Sequence, residues 1–98
     1  MAFENTAEMM ERAYVDIEAL EAEMDKLRDD YIGSLGDKYN LIYSFSKEED
    51  AWEEWVERNV AHYRITHEGT ITNVRALELK ITLLEERIKM LEGWLKNV

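Results

Sequence analysis

Apolar residues near the start of the chain recur at alternating steps of three and four positions, the spacing of one face of an α-helix. The series consists of Met10, Ala13, Ile17, Leu20, Met24, Leu27 and Tyr31. It predicts a helix over about 3–31. Asn5, followed by Glu8 three residues later, is a typical N-terminal cap. Gly33 and Gly36 predict the end of this helix, because glycine is common just after a helical C-terminus.

The last part of the chain has the most regular heptad pattern. Its seam consists of Val74, Leu77, Ile81, Leu84, Ile88, Leu91 and Leu95. Because Leu fills every d position and Val, Ile or Leu every a position, this seam predicts a helix over about 71–97 with coiled-coil-like packing. A second apolar strip on the same helix consists of Leu79, Leu83, Met90 and Trp94. A helix with two apolar strips must contact more than one neighbour.

Between these segments, Ser46 and Glu49 form a capping box that predicts the start of a shorter helix over about 46–66. Its apolar stripe consists of Trp52, Trp55, Val56, Val60 and Tyr63. Residues 33–45 are rich in apolar and aromatic side chains without a clear period, and we predict a short irregular or helical segment there, with helix favoured. Gly69 predicts a tight connection to the last helix.

These elements predict an all-α fold and a single domain over residues 1–98. The predicted fold is a bundle of two long heptad-patterned helices and a shorter Trp-bearing helix. The chain has 98 residues, no proline and no cysteine. The absence of proline fits long uninterrupted helices. The absence of cysteine excludes disulfides and thiolate metal sites.

The first and last helices can pair in two ways. We expect them to pack antiparallel within one chain, which pairs the acids Asp16, Glu23 and Asp30 with the bases Lys80 and Arg87. The predicted contact joins Ile17, Leu20, Met24 and Leu27 to the seam of the last helix. Parallel packing would bring these acids near Glu78 and Glu85, which is repulsive.

The antiparallel arrangement requires residues 33–45 to cross most of the bundle, so a dimer that exchanges its first helices is an alternative. A parallel homodimer through the last helix is another, since it gives two attractive pairs between chains. Those pairs are Lys80 with Glu85 and Arg87 with Glu92.

The chain is acidic, with 22 Asp and Glu against 12 Lys and Arg and a net charge of −10. The surplus is concentrated in residues 1–58, which hold seventeen acids and six bases. This charge disfavours direct binding to nucleic acid or to an anionic membrane, and it favours a protein partner with a basic surface. Residues 1–6 lack the features of a secretory signal and no run of eighteen apolar residues occurs, so we expect a cytoplasmic protein.

No pattern of catalytic or metal-ligating residues is present in the sequence. His62 and His67 are the two histidines, and Asn59 and Arg64 stand where a di-metal bundle would need glutamate. The sequence Gly-Ser-Leu-Gly at 33–36 is too short for a phosphate-binding loop. We therefore expect no enzyme activity, no metal and no cofactor.

Two acidic ridges follow the helical period. They consist of Glu18, Glu21, Asp25 and Asp29 in the first helix, and of Glu49, Asp50, Glu53, Glu54 and Glu57 in the Trp-bearing helix. No Lys or Arg intervenes within either ridge, so like charges repel along it. The ridges are either a solvated face that keeps the protein soluble, or a surface that imitates backbone phosphates and fits a basic groove.

Four aromatic residues are further candidates for partner binding: Tyr39, Tyr43, Trp52 and Trp55. Their rings either fill the core or form a partly exposed anchor inside an acidic rim, since Trp and Tyr dominate binding hot spots.

The pattern as a whole suggests a non-enzymatic interaction module. Our hypothesis is an inhibitor or modulator of a nucleic-acid-processing enzyme, such as a host nuclease or a defence complex. Small acidic helical proteins are common among phage-encoded inhibitors of this kind, and the analogy is one of composition. The alternative hypothesis is a structural coiled-coil protein whose role is oligomerisation, including a possible homodimer.

Overall fold

The computed structural model describes residues 5–97 and confirms the all-α prediction. Its three helices are α1 (Thr6–Leu35), α2 (Tyr39–Thr66) and α3 (Thr72–Lys96), and the described residues contain no strand. The helices have 30, 28 and 25 residues, so the expectation that the Trp-bearing helix is the shorter one is wrong. The predicted start of the first helix at residue 3 lies outside the described residues.

The two ends of α1 are set by local chemistry. The Asn5 side chain accepts a hydrogen bond of 2.8 Å from the backbone N–H of Glu8, which confirms the predicted cap. At the other end the helix continues through Gly33, and it ends at Gly36, where φ is +61°. A residue with a Cβ atom is strained in this backbone conformation, whereas glycine is not.

The predicted start of the second helix at Ser46 is wrong, because α2 begins at Tyr39 and the capping box lies in its interior. Burial of Phe45 explains the difference. The Phe45 ring is buried against Tyr31 of α1 and Trp94 of α3, with centroid distances of 4.8 and 6.2 Å. Residues 33–45 are therefore the end of α1, a short turn and the first two turns of α2, as the preference for helix suggested.

The predicted antiparallel packing of the first and last helices is also wrong, because α1 and α3 are parallel. Short connections, 36–38 and 67–71, make each helix antiparallel to the one before it. Accordingly, the residue numbers of contacting side chains increase in the same direction along α1 and α3. Met24 lines the same groove as Leu84, and Tyr31 lies 5.9 Å from Trp94.

The repulsion expected for this parallel pairing is relieved locally. Asp16 and Glu78 do line one groove between α1 and α3, but Arg12 lines it with them. Glu78 also forms an ion pair of 2.9 Å with Arg75. Neighbouring bases therefore offset the charge of the two carboxylates.

The three helices form a flat layer with α3 in the centre. The α1–α3 interface is the most extensive and the α1–α2 interface the smallest. The extents are 54 × 30 × 16 Å and the radius of gyration is 16.3 Å, above the roughly 13 Å of a compact domain of about 100 residues.

Both apolar strips of α3 are used, which confirms that this helix contacts two neighbours. The heptad seam packs on α1 in a core that includes Ile17, Met24, Leu77, Leu84, Ile88 and Leu91. The second strip contributes Leu83, with Leu79 at its edge, to a smaller core with Val56 and Val60 of α2. Because the seam is occupied by α1 of the same chain, it is not open for the parallel homodimer.

A buried arginine fastens α2 to α3. Arg87 is 2% exposed, and its guanidinium donates hydrogen bonds to both carboxylate oxygens of Glu48. The guanidinium carbon lies 5.1 Å from the ring centroid of Trp52 and 5.3 Å from that of Trp94. The carboxylate balances the charge and both rings lie close to the guanidinium, and we call these four residues the Arg87 clamp.

Replacing Gly36 by Ala should lower the free energy of unfolding by about 1–3 kcal/mol, since φ is positive there and the added methyl contacts nothing. Gly33→Ala, three residues away inside α1, should instead raise it by about 0.5–1 kcal/mol. Urea denaturation of both variants measures the difference. Equal effects would contradict the assignment of Gly36 as the conformational stop.

Removing Glu48 should leave the Arg87 guanidinium buried without a counter-ion. We expect Glu48→Ala to lower the free energy of unfolding by about 2–4 kcal/mol. The matched control is Glu54→Ala on the same helix, which breaks an exposed pair with Arg58 and should cost less than about 1 kcal/mol. Similar losses in the two variants would show that the clamp is not a principal contact.

Candidate functional site

Part of each acidic ridge lies at one groove between α1 and α2. The α1 row consists of Glu18, Glu21, Asp25 and Asp29, and the α2 row of Glu49, Asp50, Glu53 and Glu57. Glu21, Glu53 and Glu57 line the groove, and Asp25 and Glu49 are ion-paired with Arg28 beside it. The other three row members are exposed and do not line it. The groove, which we call the acidic groove, has a volume of about 270 Å³. The fold therefore brings together two ridges that are separate in the sequence.

The floor of the acidic groove is apolar. Met24 of α1, Val56 of α2 and Leu84 of α3 line it and are all buried, and Trp52 lies beside them. These side chains belong to the cores on both sides of α3. A partner that reaches between the carboxylate rows would therefore meet apolar surface.

Two bases lie between the rows, so the expectation of unrelieved repulsion is wrong. Arg28 Nε lies 3.0 Å from Glu49 Oε2, and Arg28 Nη1 lies 3.5 Å from Asp25 Oδ1 and 3.9 Å from Glu53 Oε1. Lys80 Nζ of α3 lies 3.6 Å from Glu57 Oε1. Arg28 and Asp25 lie on the same helix. Each of the other pairs joins two different helices.

The groove remains acidic after this pairing. Five carboxylates lie in or beside it, those of Glu21, Asp25, Glu49, Glu53 and Glu57, against the two bases Arg28 and Lys80, which leaves three surplus negative charges. Within the described residues, four members of the rows have no ion-pair partner: Glu18, Glu21, Asp29 and Asp50. Of these four, Glu21 lines the groove.

Glu49 is the most enclosed carboxylate of the rows, with a side chain 13% exposed. Burial raises the pKa of Glu49 above its ordinary value, because the charged form loses solvation. Arg28 and Arg87 lower this pKa by a smaller amount, and Glu53 and Glu48 raise it. The fold thus holds the Glu49 carboxylate beside the groove, where its charged form is less well solvated than in water.

The structure does not gather the four candidate aromatic residues at this groove. The Trp52 ring is half-buried over Arg87, whereas Trp55 is 50% exposed on the side of α2 away from the groove. Tyr39 and Tyr43 are 75% and 65% exposed on the outer surface of α2, where Lys47 lies 5.3 Å from the Tyr43 ring. Glu54 also lies outside the groove.

Sequence reasoning did not identify Arg28, Lys80 or Arg87 as parts of these sites. Lys80 and Arg87 were placed at flanking heptad positions, where bases usually serve helix pairing. No local sequence pattern links Lys80 and Arg87 to their partners on α2, because these partners are 23 and 39 residues away. Of the ion pairs described at the groove, the one between Arg28 and Asp25, three residues apart, has a helical spacing that the sequence shows.

Comparisons of the chain with protein-family models, with curated proteins and with solved structures gave no significant match. None of the helices in residues 5–97 combines the length and the apolar character needed to cross a membrane.

Replacing Glu49 by Gln tests the solvation cost at the groove wall. A raised pKa in the folded protein means that Glu49 contributes stability below its unfolded value of 4.5, and that this contribution is lost as pH rises through the folded-state pKa. The stability of Glu49→Gln relative to the unmodified protein should therefore increase from about pH 4 to about pH 7.

Urea denaturation at several pH values gives the free energies of unfolding for this comparison. The control is Glu54→Gln, which changes a carboxyl that is 64% exposed and should show a smaller pH dependence. A relative stability of Glu49→Gln that falls with rising pH would contradict the prediction.

Proposed function

We propose that this protein is a non-enzymatic interaction module whose acidic groove covers a basic surface of a larger nucleic-acid-processing protein. The carrying observation is that carboxylates of both rows, Glu21 of α1 and Glu53 and Glu57 of α2, line a single groove with an apolar floor. A cytoplasmic location and a role as inhibitor or modulator are parts of this proposal.

The spacing of the carboxylates supports a partner that normally holds nucleic acid. Glu18, Glu21, Asp25 and Asp29 follow one another at about one helical turn, roughly 5–6 Å between Cβ atoms. Lys and Arg side chains placed to contact phosphates can contact these carboxylates instead.

The apolar floor adds a second requirement for the partner, besides the basic side chains that would contact the carboxylates. Met24, Val56 and Leu84 lie between the rows, so a partner gains most if an apolar side chain projects between its bases. The fitting surface is therefore a basic one with an apolar centre. Binding should weaken as salt rises, because the charge attraction is screened.

The charge of the groove rim can be reversed without changing the fold. Glu18→Lys with Glu21→Lys should weaken partner binding at least tenfold, about 1.4 kcal/mol or more, since both side chains are exposed, Glu21 lines the groove and Glu18 precedes it on the same row. The matched control is Glu23→Lys with Asp30→Lys, which makes the same change of net charge on the other flank of α1. The control variant should bind like the unmodified protein.

The experiment begins with affinity capture on the immobilised protein from a bacterial lysate, followed by purification of the captured nuclease, helicase or polymerase. Titration calorimetry at several salt concentrations then compares the two double variants, and duplex DNA is added as a competitor. Mutual exclusion of the protein and DNA is expected. Equal binding by both variants, or binding unaffected by DNA, would overturn the proposal.

A further inference from the structure

The side of α2 away from the acidic groove carries a second seam. It consists of Leu41, Ser44, Glu48, Ala51 and Trp55, at steps of three and four residues. Leu41 and Trp55 are each about half exposed, and Ser44 and Ala51 are small and exposed. We call these five residues the outer seam. It has the heptad spacing of a helix-packing surface, but no helix within residues 5–97 covers it.

One end of the outer seam is a pocket and the other is a projecting ring. The pocket has a volume of about 240 Å³ and is lined by Tyr31, Leu41, Ser44, Phe45, Glu48 and Trp94. Three of its six lining side chains are aromatic, and a tryptophan ring in such a site could form edge or stacked contacts. Trp55 lies beyond the pocket on the same side of the same helix.

The charge around the outer seam is close to balanced, in contrast to the acidic groove. Glu48 is paired with Arg87, and Glu54 is paired with Arg58 at 2.7 Å. A copy of a chain with net charge −10 is repelled by the acidic rows but not by this side of α2. The balanced side is therefore the one that a second copy can approach.

We propose that two copies of the chain pair through their outer seams, with α2 antiparallel to α2 of the second copy and each Trp55 in the pocket of the other. A two-fold arrangement brings the same surface of both chains together, so a projection and a pocket on one seam fill each other twice. The axis then crosses α2 near Glu48 and Ala51, halfway between Trp55 and the pocket. The small Ala51 and Ser44 side chains allow the two helices to approach closely.

This register also brings opposite charges together at the edge of the seam. With Trp55 opposite residues 44–46 of the second copy, Lys47 lies opposite Glu54 of that copy, and Glu54 opposite its Lys47. Two attractive pairs therefore flank the contact. A parallel pairing would not form these pairs, because the flank that carries Lys47 and Glu54 would face the opposite flank of the second copy.

The size of the seam predicts a weak dimer. The outer seam runs over fifteen residues of α2, about 22 Å long and about 10 Å wide, so each copy covers roughly 220 Å². The total of roughly 450 Å² is below the usual size of stable interfaces, as in weak transient contacts. Association should therefore depend on concentration in the micromolar range or above, and the acidic groove stays open in the dimer.

A cysteine placed at the axis tests the register directly, because the chain has none of its own. Ala51→Cys, oxidised at a high protein concentration, should form a disulfide-linked dimer in high yield. The matched control is Ala61→Cys, which is exposed on another side of the same helix and should remain mostly monomeric. Equal yields in both variants, or no linked dimer for Ala51→Cys, would overturn the proposal.

Sedimentation equilibrium from about 10 µM to about 1 mM measures the affinity of the unmodified chain and of seam variants. Trp55→Ala should weaken dimerisation about thirtyfold, as for a binding hot spot, while Tyr39→Ala should leave it unchanged. Lys47→Glu should weaken it, and the addition of Glu54→Lys should restore it. A chain that remains monomeric throughout, or Trp55→Ala with unchanged affinity, would refute the dimer without affecting the proposal for the acidic groove.

Discussion

Burial of the Arg87 guanidinium is the constraint on which the arrangement of the helices depends. A charged group taken out of water needs a counter-ion and hydrogen-bond acceptors at fixed positions, and Glu48 provides both. Trp52 of α2 lies 5.1 Å from the guanidinium carbon, and together with Glu48 it ties the register of α2 to that of α3. A shift of α2 by one turn would break both of these contacts. The register in turn determines which residues of α2 face α1.

The acidic groove is a consequence of this register. With Trp52 over Arg87, Val56 packs on α3 and the carboxylates of Glu53 and Glu57 lie on the rim facing α1. Arg28 and Lys80 reduce the repulsion between the rows by pairing across helices. They do not neutralise it, because acids outnumber bases in the groove. The protein therefore tolerates concentrated negative charge on a surface whose floor is apolar, a combination that suits a basic partner.

The flat shape gives α2 two different exposed sides. One side faces the acidic groove and carries most of the surplus charge, whereas the outer seam has paired charges and apolar side chains. Recognition of a basic protein and pairing with a second copy therefore need not compete for the same residues. The two hypotheses drawn from the sequence, an interaction module and an assembling helical protein, are compatible in one molecule.

The sequence by itself determined the helical class, the seam faces of α1 and α3 and the second contact of α3, because apolar periodicity is a local property of the chain. It also determined the Asn5 cap. The capping box at Ser46 predicted the wrong start for the second helix, because α2 begins at Tyr39 and includes the buried Phe45. The predicted direction of α3 was wrong for another reason, because it rested on pairing Lys80 and Arg87 with acids of α1, whereas both bases pair with acids of α2. The pairing of Arg87 with Glu48 and the meeting of the acidic rows were decided by tertiary structure alone, because they join residues distant in sequence whose positions depend on how whole helices pack.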